Sequence, residues 1–159
     1  MSKLWAETSF NVFYLIVVWW LVIAMWRRRS LVAAEDRRTA DLLMWAFAWL
    51  GLGDIGHVGF RVVAFAMGGF DVSVNMFGNR LLLAPMGSLA TAITFTIFYV
   101  LIVMMWSARY NKPYGVLGYL LFALAVLRLL IMTHPANGWN SMQAAQPWSM
   151  IRNLPLMMM

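Results

Sequence analysis

Long, continuous apolar runs separated by short polar or charged segments make up most of this chain. Four runs cover approximately residues 9–26, 41–68, 88–107 and 116–133. Each has about 18 residues or more, the length of α-helix that crosses a ~30 Å hydrocarbon core. The apolar positions are contiguous rather than alternating, which argues against a membrane β-barrel. The pattern predicts an all-α integral membrane protein with a bundle of four transmembrane helices in a single domain, residues 1–159.

Two segments depart from this pattern. Segment Gly69–Gly87 contains Gly, Asn and Pro, and we predict a loop there rather than a clean helix, with its LLLAPM stretch near the membrane interface. A short apolar segment begins near Trp148, and we expect Pro155 to kink it early. This segment is too short to span a bilayer, so we interpret it as the start of a fifth helix. We expect it to be truncated, to lie in the interface or to pair with another subunit.

The asymmetric placement of basic residues predicts the topology. Five follow the first run and two follow the third, namely Arg27, Arg28, Arg29, Arg37, Arg38, Arg109 and Lys112. The opposite side carries Lys3 and Arg80. Since cytoplasmic loops carry the excess of Lys and Arg, both basic loops are predicted to be inside and the N-terminus outside. Asp41 is expected at the start of the second helix, where the helix dipole favours an acid.

Composition agrees with a membrane protein. Of the 159 residues, 63% are hydrophobic and 11% are charged, against about 25% charged in an ordinary soluble domain. The net charge of +6 comes from residues beside apolar runs, which favours topology control and contact with anionic lipid over nucleic-acid binding. The absence of cysteine excludes disulfides and thiolate chemistry. We predict the inner (plasma) membrane of a bacterium, with membrane lipids as partners.

Three ionisable residues interrupt the second apolar run: Asp54, His57 and Arg61. Charged groups within a bilayer are costly and usually face a bundle interior or a wet cavity. At ~100° per residue, Asp54 and Arg61 lie almost on one stripe, with His57 about 60° to one side. Gly53, Gly56 and Gly59 occupy much of the opposite side, where small residues let a neighbouring helix approach closely. This helix is therefore predicted to be central, with one side for packing and one for polar chemistry.

Further polar residues in the other helices fall at similar depth. We predict an outward-facing polar pocket lined by Asp54, His57, Arg61, Thr91, Thr94, Arg128, His134, Arg152 and Asn153. Asp54, Arg61 and Arg128 are expected to form one electrostatic unit, an intramembrane ion pair with an excess of positive charge. Because two or three arginines share one acid, an anion would complete the set, and Arg suits forked recognition of carboxylate or phosphate.

The main hypothesis is binding or transport of an anionic small molecule or lipid headgroup. A purely structural role for the ion pair is a second interpretation. An accessory or structural subunit of a larger membrane complex, or of a homo-oligomer, is a third. An intramembrane enzyme that uses an Asp54–His57 pair is a fourth, although no nucleophile is evident. No metal site and no cofactor is predicted, and haem ligated by His57 and His134 is kept as a minor alternative.

Four stretches occur in a characteristic order between Leu50 and Pro155: LGDIGHVGFR, TAITFTIFYVLI followed by RY, ALAVLRLL, and PW…IRNLP. Together they resemble a family of uncharacterised bacterial polytopic membrane proteins. The family pattern has proline before the arginine of the first motif, whereas Phe60 stands there in this chain, so the resemblance does not carry a kink to this helix. Its members extend beyond RNLP, which implies further helices. The resemblance supports the polar positions as a set and implies no activity.

Overall fold

Helix accounts for 74% of the structure, a computed structural model that describes residues 2–69, 71–76, 78–143 and 145–159. The α-helices are α1 (Ser2–Arg27), α2 (Arg37–Ala66), α3 (Leu83–Tyr110), α4 (Gly115–Met132), α5 (Trp148–Ile151) and α6 (Leu154–Met157). Two strands, β1 (Ser73–Met76) and β2 (Asn79–Leu82), and two short 3-10 helices, Arg29–Leu31 and Pro135–Asn137, complete the secondary structure of this part of the chain.

Four of these helices are long and apolar enough to cross a membrane: Ser9–Arg27 of α1, and α2, α3 and α4 over their full lengths. The prediction of four such helices is confirmed. The bounds of the third differ, because α3 begins at Leu83 and not near Ser88. Pro85 is compatible with this first turn, where a backbone N–H would have no acceptor within the helix. The prediction of a loop is therefore wrong for Leu83–Gly87.

An antiparallel β-hairpin, which the sequence pattern did not indicate, precedes α3. Ser73 pairs with Leu82 and Met76 with Asn79. The loop after α4 is attached to this hairpin by the side chain of Asn140. Its Nδ2 donates to the Arg80 carbonyl at 2.7 Å, and its Oδ1 accepts from the Leu82 N–H at 2.6 Å. Asn140 thus supplies one donor and one acceptor to the edge of β2.

Successive helices alternate in direction, so the bundle has two distinct ends. The hairpin end contains residues 71–76, 78–82 and 133–143, and the loop end contains residues 28–36 and 111–114. At the loop end, Arg109 forms a salt bridge with Asp36 at 2.6 Å. Arg29 forms another with Asp41, also at 2.6 Å. Because α2 begins at Arg37, Asp41 lies in its second turn, and the prediction that Asp41 starts the helix is wrong.

The antiparallel pair of α2 and α3 has the largest interface, while α1 packs on α2 and α4 packs on α3. Small residues set the α2–α3 distance. A Cβ added to Gly53 would overlap Thr94 Oγ1, and a Cβ on Gly56 would lie 2.9 Å from Ala90 Cβ. The predicted close-contact stripe is therefore confirmed at these two glycines.

The stripe differs from the prediction at its hairpin end. A Cβ added to Gly59 would meet nothing within 4 Å, so the inclusion of Gly59 is wrong. Gly87 of α3 takes that part of the contact, since its own Cβ would lie 3.0 Å from the Gly56 carbonyl oxygen and 3.0 Å from His57 Cα. The close approach continues because α3 supplies the next glycine.

The C-terminal segment forms two four-residue helices, α5 and α6, separated by Arg152 and Asn153. Pro155 is buried in the first turn of α6, and α6 packs on α4. Proline cannot donate to a carbonyl of the preceding turn, so one continuous helix is interrupted here. The expected kink is a complete break, and it leaves the Arg152 carbonyl available to a side chain of α4.

Candidate functional site

Arg128 of α4 is 2% exposed and is bonded on several sides. One terminal nitrogen donates to the Ala92 carbonyl at 2.7 Å and to the Thr96 hydroxyl. Nε donates to the Arg152 carbonyl at 3.2 Å, and the other terminal nitrogen donates to Asn153 Oδ1 at 3.3 Å. All four acceptors are uncharged, so they satisfy N–H groups of the guanidinium but do not neutralise its positive charge. Its bonds connect α3, α4 and the C-terminal segment.

The hydroxyls of α3 have different partners from those expected. Thr96, which is fully buried, contacts Arg128 and was missed by sequence reasoning. Thr94 donates to the Ala90 carbonyl of its own helix at 3.0 Å and packs on Gly53. No local signal separates Thr96 from Thr94 as an arginine partner, because the choice depends on where α4 lies against α3.

Thr91 has a mixed role. Its hydroxyl lies 3.1 Å from the carbonyl oxygens of Gly53 and Gly87, so it bonds across the α2–α3 interface and along its own helix. It also lines a cavity together with Arg128 and Arg152. Thr91 is therefore part of the cavity lining, and helix pairing accounts for its hydrogen bonds.

Arg152 lies over the ring of Trp139, with 4.0 Å from its guanidinium carbon to the ring centroid. One terminal nitrogen lies 3.3 Å from the Asn137 carbonyl and 3.4 Å from Asn137 Oδ1. Burial lowers the pKa of the Arg152 guanidinium below its usual value. The physical cause is that burial disfavours the charged form of a side chain.

Asn137 and Trp139 were not predicted as site residues, and both also secure the end of α4. Asn137 is 1% exposed and donates from Nδ2 to the Ile131 carbonyl at 2.7 Å. Trp139 donates from Nε1 to the Met132 carbonyl at 2.9 Å. The last carbonyls of a helix lack N–H donors within it, so these bonds fix the loop that holds Arg152.

Two adjoining cavities lie beside these side chains. The first has a volume of about 130 Å³ and is lined by Arg61, Arg152 and Ser88 among others. The second has a volume of about 270 Å³ and is lined by Arg128, Arg152, Ser88 and Asn153 among others. Among the described residues, no aspartate or glutamate lines either cavity. We call the two together the arginine pocket, defined by Arg61, Arg128 and Arg152.

Asp54 is not part of the arginine pocket. Its carboxylate lies near the Tyr14 hydroxyl and near His57. The salt bridges between described residues are the two at the loop end, and neither includes Asp54. The expected ion pair of Asp54 with Arg61 or Arg128 is therefore not formed. The reason is architectural: Asp54 faces α1, which packs on α2, whereas Arg128 belongs to α4, which packs on α3.

His57 lies close to the α2–α3 contact. Gly87 approaches its backbone, and within the described part of the chain its buried Nδ1 has no hydrogen-bond partner. The ring is near both Asp54 and Arg61. The described residues contain no group of three or more potential metal ligands.

His134 is exposed at the hairpin end and lines neither cavity. Its Nδ1 accepts from the Ala136 N–H at 3.2 Å, and its ring stacks on Trp148 with 4.2 Å between centroids. These contacts attach the start of α5 to the end of α4. Haem ligation by His57 and His134 stays a prediction from sequence.

The arginine pocket unites Arg61, Arg128 and Arg152 with Thr91 and Asn153, while Asp54, His57, Thr94 and His134 lie outside its lining. The resemblance of the sequence motifs to a bacterial membrane family stays a prediction. No family model matches the chain, and no curated protein and no solved structure matches it either.

Proposed function

We propose that this chain is an integral membrane protein that binds or transports an anionic small molecule or lipid headgroup in the arginine pocket. The observation that carries the proposal is the placement of three guanidinium groups along two adjoining cavities in which no described residue supplies a carboxylate. An uncompensated buried cation is costly, and an anionic ligand would reduce that cost.

The three arginines support the proposal in different ways. Arg128 is held by four neutral acceptors and contributes a fixed positive charge. Arg152 is held against Trp139 and bonds described residues through one terminal nitrogen, so within this part of the chain its other N–H groups are available to a ligand. Arg61 is exposed and has no hydrogen bond or salt bridge to any described residue. A forked guanidinium fits the paired oxygens of carboxylate or phosphate.

The position of the arginine pocket near the hairpin end is the second observation that supports the proposal. The first cavity is bordered by the loop after α4 at the hairpin end, through Asn137, Trp139 and Met142. With the N-terminus outside, as the distribution of basic residues predicts, the hairpin end faces the exterior and the pocket opens outward. Ser88 lines both cavities and provides a neutral hydroxyl between the charges.

The test measures thermal stabilisation of the purified protein in neutral detergent by inorganic phosphate. Arg61→Gln is the clean variant, since Arg61 has no described bond to lose, and it should weaken stabilisation about tenfold in ligand concentration. Arg80→Gln is the matched control, because Arg80 bonds Ser73 on the hairpin and lies outside both cavities. Equal responses of the two variants to phosphate, or no response of the parent protein to phosphate, would refute the proposal.

A second candidate function, an intramembrane acid–base site, is favoured by the contiguity of Tyr14, Asp54 and His57. Side chains of these types can act as general acids and bases. Asp54→Asn separates the two candidates, because it should leave anion binding in the arginine pocket unchanged. Loss of phosphate binding in Asp54→Asn would contradict the separation of the two sites. The role as a subunit of a larger complex is tested by native mass spectrometry of the purified protein, which would detect a retained partner.

A further inference from the structure

A cleft of about 300 Å³ lies at the loop end between α1 and α2, at the opposite end of the bundle from the arginine pocket. Its walls are apolar and are formed by Leu21, Ala24, Met25, Val32, Ala40 and Met44. Its rim carries three charged residues, Arg28, Arg29 and Asp41. The cleft thus combines a charged mouth with an apolar interior.

The position of the cleft along α1 matches the boundary of a bilayer. The apolar span of α1 ends at Arg27, directly before the rim arginines, so the rim lies at the depth of lipid headgroups whichever end faces the cytoplasm. Leu21 lies seven residues before Arg28, which places the far wall about 10 Å deeper at ~1.5 Å per residue. The apolar part of the cleft therefore lies where acyl chains lie.

The charges at the rim favour an anion. Asp41 is the acid among the residues that line the cleft, and it accepts from Arg29 at 2.6 Å. That hydrogen bond raises the pKa of Arg29. Arg28 is exposed, and its guanidinium has no hydrogen bond or salt bridge to a described residue. One unpaired cation stays at the mouth, and basic pockets between transmembrane helices are typical sites for anionic headgroups.

We propose that this cleft is a second binding site, which holds one anionic phospholipid with its phosphate at Arg28 and Arg29 and an acyl chain along Ala24 and Met44. The site does not depend on the proposed function of the arginine pocket. The lipid is identified by its chemistry: a phosphate attached to a chain long enough to enter the apolar part of the cleft. A free anion would use the rim alone.

The experiment titrates phosphatidylglycerol, phosphatidylcholine and inorganic phosphate into the purified protein in neutral detergent and follows the melting temperature. We expect phosphatidylglycerol to raise it and the other two to have little effect through this site. Arg28→Gln should weaken the phosphatidylglycerol response about tenfold, because a charge-assisted bond to phosphate is lost. Arg38→Gln is the matched control, with the same charge change at an exposed residue that does not line the cleft.

Two further variants keep the proposal falsifiable if Arg28→Gln alters folding. Asp41→Asn removes the carboxylate that competes for Arg29, so it should tighten phosphatidylglycerol binding severalfold even if the lipid-free melting temperature falls. Ala24→Leu fills the apolar wall without changing any charge, and it should weaken lipid binding. Either result in the opposite direction would overturn the site.

The outcomes also separate this site from the arginine pocket. Arg61→Gln should leave the phosphatidylglycerol effect of the cleft intact, because Arg61 lies at the other end of the bundle. A phosphatidylglycerol response lost in Arg61→Gln and kept in Arg28→Gln would assign the lipid to the arginine pocket and overturn the cleft site. Stabilisation by inorganic phosphate that is lost in Arg28→Gln would show a free-anion site and refute the lipid assignment.

Discussion

A single methyl group placed on Gly53 tests whether the α2–α3 contact organises the bundle. The added Cβ would overlap Thr94 Oγ1 and would lie 3.0 Å from Thr94 Cβ and 3.3 Å from Thr91 Cα. Rotation of the Thr94 side chain removes the first of these contacts only. The other two involve atoms fixed by the α3 backbone, so the helices must separate by some tenths of an ångström. The same shift lengthens the 3.1 Å bond from Thr91 to the Gly53 carbonyl.

The magnitude follows from comparison with a glycine on the same helix. Overpacking a tight contact costs about 1–3 kcal/mol. Replacing Gly by Ala in a helix interior stabilises the helix by up to about 1 kcal/mol, because Ala has the higher helix propensity. Gly59→Ala has the same propensity gain and meets nothing within 4 Å, so this term cancels in the comparison. Gly53→Ala should therefore be about 1–3 kcal/mol less stable than Gly59→Ala.

The assay is reversible unfolding in mixed micelles with increasing dodecyl sulfate, followed by circular dichroism. A rescue variant sharpens it: Thr94→Ala in the Gly53→Ala background removes the overlapping hydroxyl and should recover part of the loss. Thr94 bonds only to carbonyls of its own helix among the described residues, so its removal leaves no buried partner on another helix. Equal stability of Gly53→Ala and Gly59→Ala, or strict additivity with Thr94→Ala, would refute the close-contact reasoning.

Three further predictions follow from the geometry. Thr96→Val should destabilise the fold by about 1.5–3 kcal/mol, because Arg128 loses an acceptor. Thr94→Val should change the stability less in the same unfolding assay, and the reverse order would contradict the role of Thr96. Asp54→Asn and Arg128→Gln should be additive within about 0.5 kcal/mol, since no ion pair joins them, and a larger coupling energy in a double-mutant cycle would show a shared site. Ser30→Cys in this cysteine-free chain should react with a thiol reagent added from the cytoplasmic side, and reaction only from the outer side would contradict the predicted topology.

The helices were predictable because their signal is local. An apolar run of sufficient length must satisfy its own backbone hydrogen bonds in a membrane, and that requirement acts on each run separately. The start positions of the helices were less predictable. In α3, which begins at Leu83, Pro85 is the third residue, and a proline there is typical of a loop but also fits the first turn of a helix. The pairing of the hairpin is local, and it was missed because the Gly and Asn residues of this segment were interpreted as a loop signal. Its attachment to Asn140 joins residues 58 and 60 positions apart, which no local pattern indicates.

The membership of the candidate site depended on tertiary structure. The sequence by itself determined that Asp54, Arg61, Arg128 and Arg152 are out of place in apolar surroundings and need partners. It did not determine which partners, because a side chain's neighbours follow from how each helix is rotated and which helix packs beside it. In the structure Asp54 lies near Tyr14 of α1, which packs on α2, whereas Arg128 belongs to α4, which packs on α3.

The hydrogen-bond partners of Arg128 were likewise not predictable from the sequence. Its acceptors are two backbone carbonyls, a threonine hydroxyl and an asparagine oxygen, and none of these carries a charge that a sequence pattern can reveal. Every residue has a carbonyl, so only the break between α5 and α6 and the contact of α4 with α3 decide which ones reach the guanidinium. Charge and depth are properties of the sequence, whereas the absence of a described acid from the arginine pocket is a result of packing.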